Sequence, residues 1–306
     1  MLCAYNYFNS EVTMNETQIE KKSFFNINLK KLFKFTVFEI VLSAILLATH
    51  IIVIMFAKFT ILRIIPIGLE NILYIFYGII LGPFKGALLA ILGDTIPMLL
   101  TGSIGQWFWL YAITPPLIAI VSWVYSVVFK SNKIVAITVS TLLTFVSLAI
   151  VFYVYFKYSE TDGTFKINSS KKNPIFAPKN LIIWMIALYI FLSLAVSGLC
   201  IKLYSATKND KWLNYLMIMS LVIIISIVFR WIIGPIQYIE YYNYFKAPNS
   251  KAGLKYYSLE YILLFTKIVI KDLFVIPIYI IVLTPIYNAV YLLNNKHKSE
   301  QNTRYL

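Results

Sequence analysis

A chain of 306 residues that is 60% hydrophobic and only 13% charged, with a mean hydropathy of +0.76, is too apolar to clothe itself as a water-soluble globule. Its net charge of +14 would suit a nucleic-acid partner in a soluble protein, but in this chain it marks basic flanks beside anionic lipid headgroups. Two cysteines, Cys3 and Cys200, and two histidines, His50 and His297, provide neither a disulfide framework nor metal-ligand spacing, so no metal or cofactor is expected.

The apolar runs are too long for barrel strands and do not alternate, which predicts an all-α integral membrane helix bundle. Residues 1–34 read as a cytoplasmic leader. They carry Glu11, Glu16 and Glu20, then the cluster Lys21, Lys22, Lys30, Lys31 and Lys34, and the long apolar run that follows has no small-residue cleavage site. A spanning helix takes about 20 mainly apolar residues, and that measure yields eight runs: 35–57, 62–82, 84–101, 105–129, 134–157, 180–203, 212–236 and 260–293. Together they make a transmembrane domain over 35–293, followed by a cytoplasmic tail at 294–306. Lys85, Lys130, Lys133, Lys202, Lys208, Lys211, Lys296 and Lys298 fall on one side with the leader, so both termini are expected in the cytoplasm of a multi-pass cell-membrane protein. Lys58, Arg63 and two polar loops, 158–179 and 237–258, fall outside.

The first run sets Ser43, Ala44 and Ala48 about one helical turn apart, a small-residue face that lets another helix approach. The second and third runs meet head to tail at Gly82-Pro83. Gly82 accepts a positive φ there, Pro83 is preset for the first turn of a helix, and Gly78, Gly82 and Gly86 recur every four residues.

Charges inside a span cost about 2.5–3.5 kcal/mol each on insertion scales, so they normally face a cavity or a partner. Glu70, Asp94, Arg230, Lys267, Lys271 and Asp272 are such charges, and Arg63 lies near the outer end of the second run. Lys267 and Lys271 share a helical face, and with Arg230 they suggest a cationic wall for an anionic solute; internal ion pairing is the alternative use of the same residues. Gln106-Trp107-Phe108-Trp109-Leu110-Tyr111 falls on the outer side, as do Tyr238, Tyr241, Tyr242, Tyr244, Tyr256 and Tyr257. Flat aromatic walls with a few polar groups suit a planar heterocycle, and a membrane-interface belt uses the same residues. Pro115-Pro116, Pro235, Pro277 and Pro285 predict kinks in the later runs.

These features resemble the substrate-binding S component of energy-coupling factor (ECF) vitamin transporters, most nearly the folate type. The likeness runs from the small face of the first span through Pro66-Ile67-Gly68 and Gly78 to Gly82-Pro83-x-x-Gly86-Ala87 and Gly93-Asp94. It resumes at Lys267-x-x-x-Lys271-Asp272-Leu273-Phe274-Val275-Ile276-Pro277-Ile278, and covers about 35–130 and 212–293. Family members usually have six spans, so the resemblance makes residues 131–211 an inserted helix pair with an outer loop. Glu70-Asn71 stands where the family is normally apolar, and Trp107-Phe108-Trp109 replaces its Phe-rich outer motif.

The resemblance implies a non-enzymatic subunit that captures a vitamin from outside, folate or a related heterocycle. Its partners would be a membrane coupling subunit, met through Ala44 and Ala48, and two cytoplasmic ATPases. The candidate substrate-binding residues are Arg63, Glu70, Asn71, Trp107, Trp109, Tyr111, Arg230, Lys267 and Lys271. A capture subunit for riboflavin or another vitamin, a membrane-embedded lipid-modifying enzyme and a membrane scaffold are the alternative readings.

Overall fold

The computed structural model describes residues 33–59, 70–131, 133–158, 164–166, 176–246, 253–256 and 259–304. Nine α-helices account for nearly all of them. In chain order these are α1 (Val37–Phe59), α2 (Glu70–Leu81), α3 (Pro83–Leu100), α4 (Trp109–Ser131), α5 (Lys133–Tyr158), α6 (Lys179–Thr207), α7 (Asp210–Ile225), α8 (Ile233–Lys246) and α9 (Leu259–Arg304). A 3₁₀ turn, Ile104–Gln106, precedes α4, and a π-helical segment, Ser226–Ile232, joins α7 to α8 without a break. Between α5 and α6 the chain pairs β1 (Thr164–Lys166) with β2 (Phe176–Pro178) as an antiparallel ribbon, a detail the helical reading did not include.

Five of these stretches are long and apolar enough to cross a membrane: Val37–Phe59, Pro83–Leu100, Trp109–Phe129, Ile186–Thr207 and the continuous Asp210–Lys246. Glu260–Asp272 and Phe274–Ala289 make a sixth when taken together, bent by 47°. The remaining two of the eight expected runs appear among the described residues as shorter apolar helices, Glu70–Leu81 and Ile137–Ile150. The helical, multi-pass character therefore stands, with five to six spans of full length.

Two element ends moved from where residue type placed them. Tyr238, Tyr241, Tyr242 and Tyr244 lie on α8, not in a loop, because the polar tyrosine-rich stretch holds no helix breaker until Ala247-Pro248. At the C-terminus α9 continues to Arg304, so the described part of the expected tail is helical.

The reversal between α2 and α3 is as tight as the sequence predicts. Gly82 has φ 88°, and Pro83 opens α3, where its missing N–H costs nothing. Gly78 lets α4 approach so closely that a Cβ at that position would sit 2.0 Å from the Ala119 carbonyl oxygen. A Cβ on Gly86 would likewise fall 2.5 Å from the Tyr77 carbonyl oxygen. These contacts bind α2, α3 and α4 into the most closely packed group of the bundle.

Helix α1 lies against α3 and is clamped to it at both ends. At its start Thr36 and Glu39 form a reciprocal capping box: the Thr36 N–H donates to Glu39 Oε2 at 2.8 Å and the Glu39 N–H to Thr36 Oγ1 at 3.2 Å. The other carboxylate oxygen of Glu39 takes the buried Lys85 ammonium at 2.6 Å, offsetting a cation in the first turn of α3, where the helix dipole disfavours one. At the far end the Lys58 ammonium donates to Thr101 Oγ1 at 2.9 Å. Between the clamps Val41, Ala44, Ile45, Ala48 and Ile52 are exposed along one face of α1. Ser43 is turned away from that face, its hydroxyl buried, because adjacent helical residues point about 100° apart.

The other half of the bundle is organised around α7, which packs against α5, α6 and α9 and is its most buried helix. Tyr125 on α4 ties three helices by meeting Ser140 of α5 at 2.7 Å and Ser220 of α7 at 2.6 Å, hydroxyl to hydroxyl. Much of α6 is exposed and apolar, including Trp184, Leu188, Phe191 and Leu199, as befits a lipid-facing outer helix.

The glycine contacts lead to a direct comparison. Gly78→Ala should destabilise the protein by about 1–3 kcal/mol or more, since two backbones must separate. Gly198→Ala, where a Cβ meets nothing within 4 Å, should be neutral or slightly stabilising. Thermal unfolding of the two variants in detergent checks the difference.

Candidate functional site

The tight α2–α3–α4 group, together with the end of α1 and the start of α8, leaves a cavity at the end of the bundle that carries Lys58, the 101–108 turn and the C-terminus of α8. It has two lobes, of about 380 and 320 Å³, which share Glu70, Tyr74, Asp94 and Tyr111. The charge distribution predicts that this end lies outside the cell. The size is that of a small-molecule site.

Local structure explains which side chains reach it. Glu70 and Tyr74 sit one turn apart at the start of α2 and so share a face. Asp94 comes from α3, directly after Gly93. Ser103, Gln106 and Trp107 enter from the turn between α3 and α4, and Tyr111, Thr114 and Pro115 from the first turns of α4. Gln237 of α8 reaches across, donating from Nε2 to the Leu110 carbonyl at 2.9 Å and to Thr114 Oγ1, which closes one wall just before Pro115-Pro116.

The aromatic residues meet here. Phe108 is buried at the centre of a cluster, with ring centroids 6.0 Å from Tyr241, 5.6 Å from Tyr244 and 6.3 Å from Tyr111. Tyr111 and Tyr241 are edge to face at 5.8 Å. The outer aromatic motif and the tyrosines of α8 thus form one wall, with Trp107 at the cavity and half exposed.

The polar atoms divide into satisfied and unsatisfied sets. Arg230 lines the second lobe, but its guanidinium is held by an internal partner. Nε and Nη2 donate to the two oxygens of Asp272 at 2.8 and 2.7 Å, and Nη1 donates to the Tyr279 hydroxyl at 3.2 Å. The Trp231 indole N–H adds a bond to Asp272 at 2.9 Å. By contrast, neither Glu70 nor Asp94 is in an ion pair among the described residues. The Tyr74 hydroxyl is buried and faces the Asp94 carboxylate without forming a well-aligned hydrogen bond.

Of the residues expected to bind substrate, Glu70, Asn71, Trp107, Tyr111 and Arg230 line this cavity. Trp109 is exposed and lines neither lobe. Lys267 is exposed and Lys271 half-buried, and neither lines the cavity, so the three cations do not come together as a wall. The internal pairing that the sequence left open is realised between Arg230 and Asp272, and not, among the described residues, between Glu70 or Asp94 and a lysine. Arg63 lies outside the described residues.

Sequence reasoning did not select Lys58, Tyr74, Asp94, Gln237 or Tyr241 as site residues. Asp94 and Glu70 both stand out as intramembrane acids, which was signal enough; Tyr74 and Gln237 show their position only once the helices are packed. Comparison of the chain with protein-family models, with curated proteins and with solved structures finds no match.

The Arg230–Asp272 pair yields a test of its own. Removing one partner of a buried ion pair strands the other charge and costs about 3–5 kcal/mol. Asp272→Ala should therefore destabilise by about that much, and the double change Asp272→Leu with Arg230→Met should recover a large part of the loss. Unfolding of the single and double variants in detergent reads the coupling.

Proposed function

We propose that the chain is the substrate-capture component of an ATP-driven, ECF-type importer and that it binds a small heterocyclic vitamin from outside the cell. The observation that carries this reading is the cavity at the outer end of the bundle. It combines an aromatic wall of Phe108, Tyr111 and Tyr241 with the unpaired acids Glu70 and Asp94, at a volume suited to one small ligand. Asn71, Trp107 and Gln237 add polar and aromatic edges around it.

A second observation supports the partnership. Ala44 and Ala48 lie on an exposed stripe of α1, a helix held to the bundle mainly through α3 and its two end clamps. A coupling subunit docking there meets small side chains that permit close helix approach. Glu39–Lys85 holds this stripe in place from the cytoplasmic end, so movement of α1 would pass directly to α3, which carries Asp94. None of the described residues among 131–211 lines either lobe of the cavity, and α5 and α6 pack on α4 and α7.

Two experiments test the reading. Native mass spectrometry of the purified chain, with binding measured across a vitamin panel, should find one retained or tightly bound compound; a chain that binds none of them is not a capture subunit. Ala44→Trp should abolish uptake in cells while leaving ligand binding within about twofold of the parent, because the substituted face is remote from the cavity. Uptake that survives this substitution would remove α1 from the coupling role.

A further inference from the structure

The charges around the cavity do not balance. Glu70 and Asp94 line both lobes, and neither has an ion-pair partner among the described residues. Two cations face the same space. Arg230 is neutralised by its bidentate contact with Asp272, and the Lys58 ammonium is held by Thr101 at the rim. Lys58 offsets one carboxylate at most, which leaves a negative charge in a space with low-dielectric walls.

The Tyr74 hydroxyl adds a second sign of a missing partner. Its residue is only 3% exposed and lines both lobes, and the hydroxyl faces the Asp94 carboxylate without forming a well-aligned hydrogen bond, although a buried hydroxyl left unmatched is costly. Aromatic faces from Trp107, Tyr111 and Tyr241 complete the surroundings. Among the described residues no group of three or more Asp, Glu, His or Cys side chains gathers to hold a metal ion, whereas π-faces and carboxylates together suit an organic cation.

We infer that the solute held in this cavity carries a positively charged nitrogen, seated between Glu70 and Asp94 against the aromatic wall. The inference rests on the capture reading and narrows its substrate class. An anionic solute would meet two carboxylates and, among the described lining residues, only the Lys58 ammonium at the rim to answer it; a cationic one gains charge-assisted hydrogen bonds from both acids, and Tyr74 gains a well-placed partner.

The test is binding of a charge-graded panel to the purified full-length chain: thiamine and 1-methylnicotinamide as cations, riboflavin as a neutral ring, folate and pantothenate as anions. At least one cation should bind, and Glu70→Gln and Asp94→Asn should each weaken it by about tenfold or more. Should either variant prove aggregated on gel filtration, the parent protein gives the same information. A bound cation should protect Glu70 and Asp94 from carbodiimide modification, read by peptide mass spectrometry. Binding confined to riboflavin, folate or pantothenate would overturn the inference and leave the capture reading intact, as would cation binding that neither variant weakens and that protects neither acid. Absence of binding by every member of the panel would overturn both.

Discussion

The bidentate contact between Arg230 and Asp272 is the interaction on which the rest of the site depends. Each residue alone in a span would carry a large insertion cost; together they neutralise each other, while Trp231 donates to the carboxylate and Tyr279 accepts from the guanidinium. The pair joins the π-helical segment to α9 at the point where α9 bends by 47°. π-Helical turns are rare and cluster at functional positions, and this one presents successive side chains, Arg230 and Trp231, to a single carboxylate. The pair also decides the charge of the cavity. By consuming the arginine, Asp272 leaves Lys58 as the one unneutralised cation, among the described lining residues, to face Glu70 and Asp94.

The bundle holds that cavity open by dividing its packing between two ends. At one end the chain closes tightly, with Gly82-Pro83 turning in a single step and Glu39 gripping Lys85. At the other end α3 and α4 are joined by the longer 101–108 turn, and bulky rings hold the helices apart. Close approach at Gly78 and Gly86 brings α2, α3 and α4 together lower down, so the opening is confined to one end. Helix α1 bridges both regions on the outside of the group.

Much of this was legible in the sequence, for reasons particular to each element. The reversal at Gly82-Pro83 was readable because only glycine is comfortable at the φ of 88° and proline is preset for a first turn. Helical membrane character followed from run length and composition alone. The part of α8 from Gln237 to Lys246 reads as a loop in the sequence because tyrosines and polar residues look alike in a loop and at a membrane interface. Pairing among buried charges was not legible either. Arg230 and Asp272 are 42 residues apart, and nothing local to either reveals the other. The assumption that cations dominate the pocket followed from counting lysines, yet Lys267 and Lys271 point elsewhere while the two acids remain.

The cavity with its aromatic walls and two acids, and the exposed small-residue stripe on a neighbouring helix, are the features behind the proposal that the chain takes hold of a solute and passes a movement to a partner. The account requires the cavity to open to the outside. Met98→Cys places a thiol in the first lobe. With Cys3 and Cys200 replaced by serine, labelling of intact cells by a membrane-impermeant maleimide reads its accessibility. The account predicts labelling of the introduced thiol in intact cells. Labelling that occurs only after the membrane is permeabilised would place the cavity on the cytoplasmic side and contradict it.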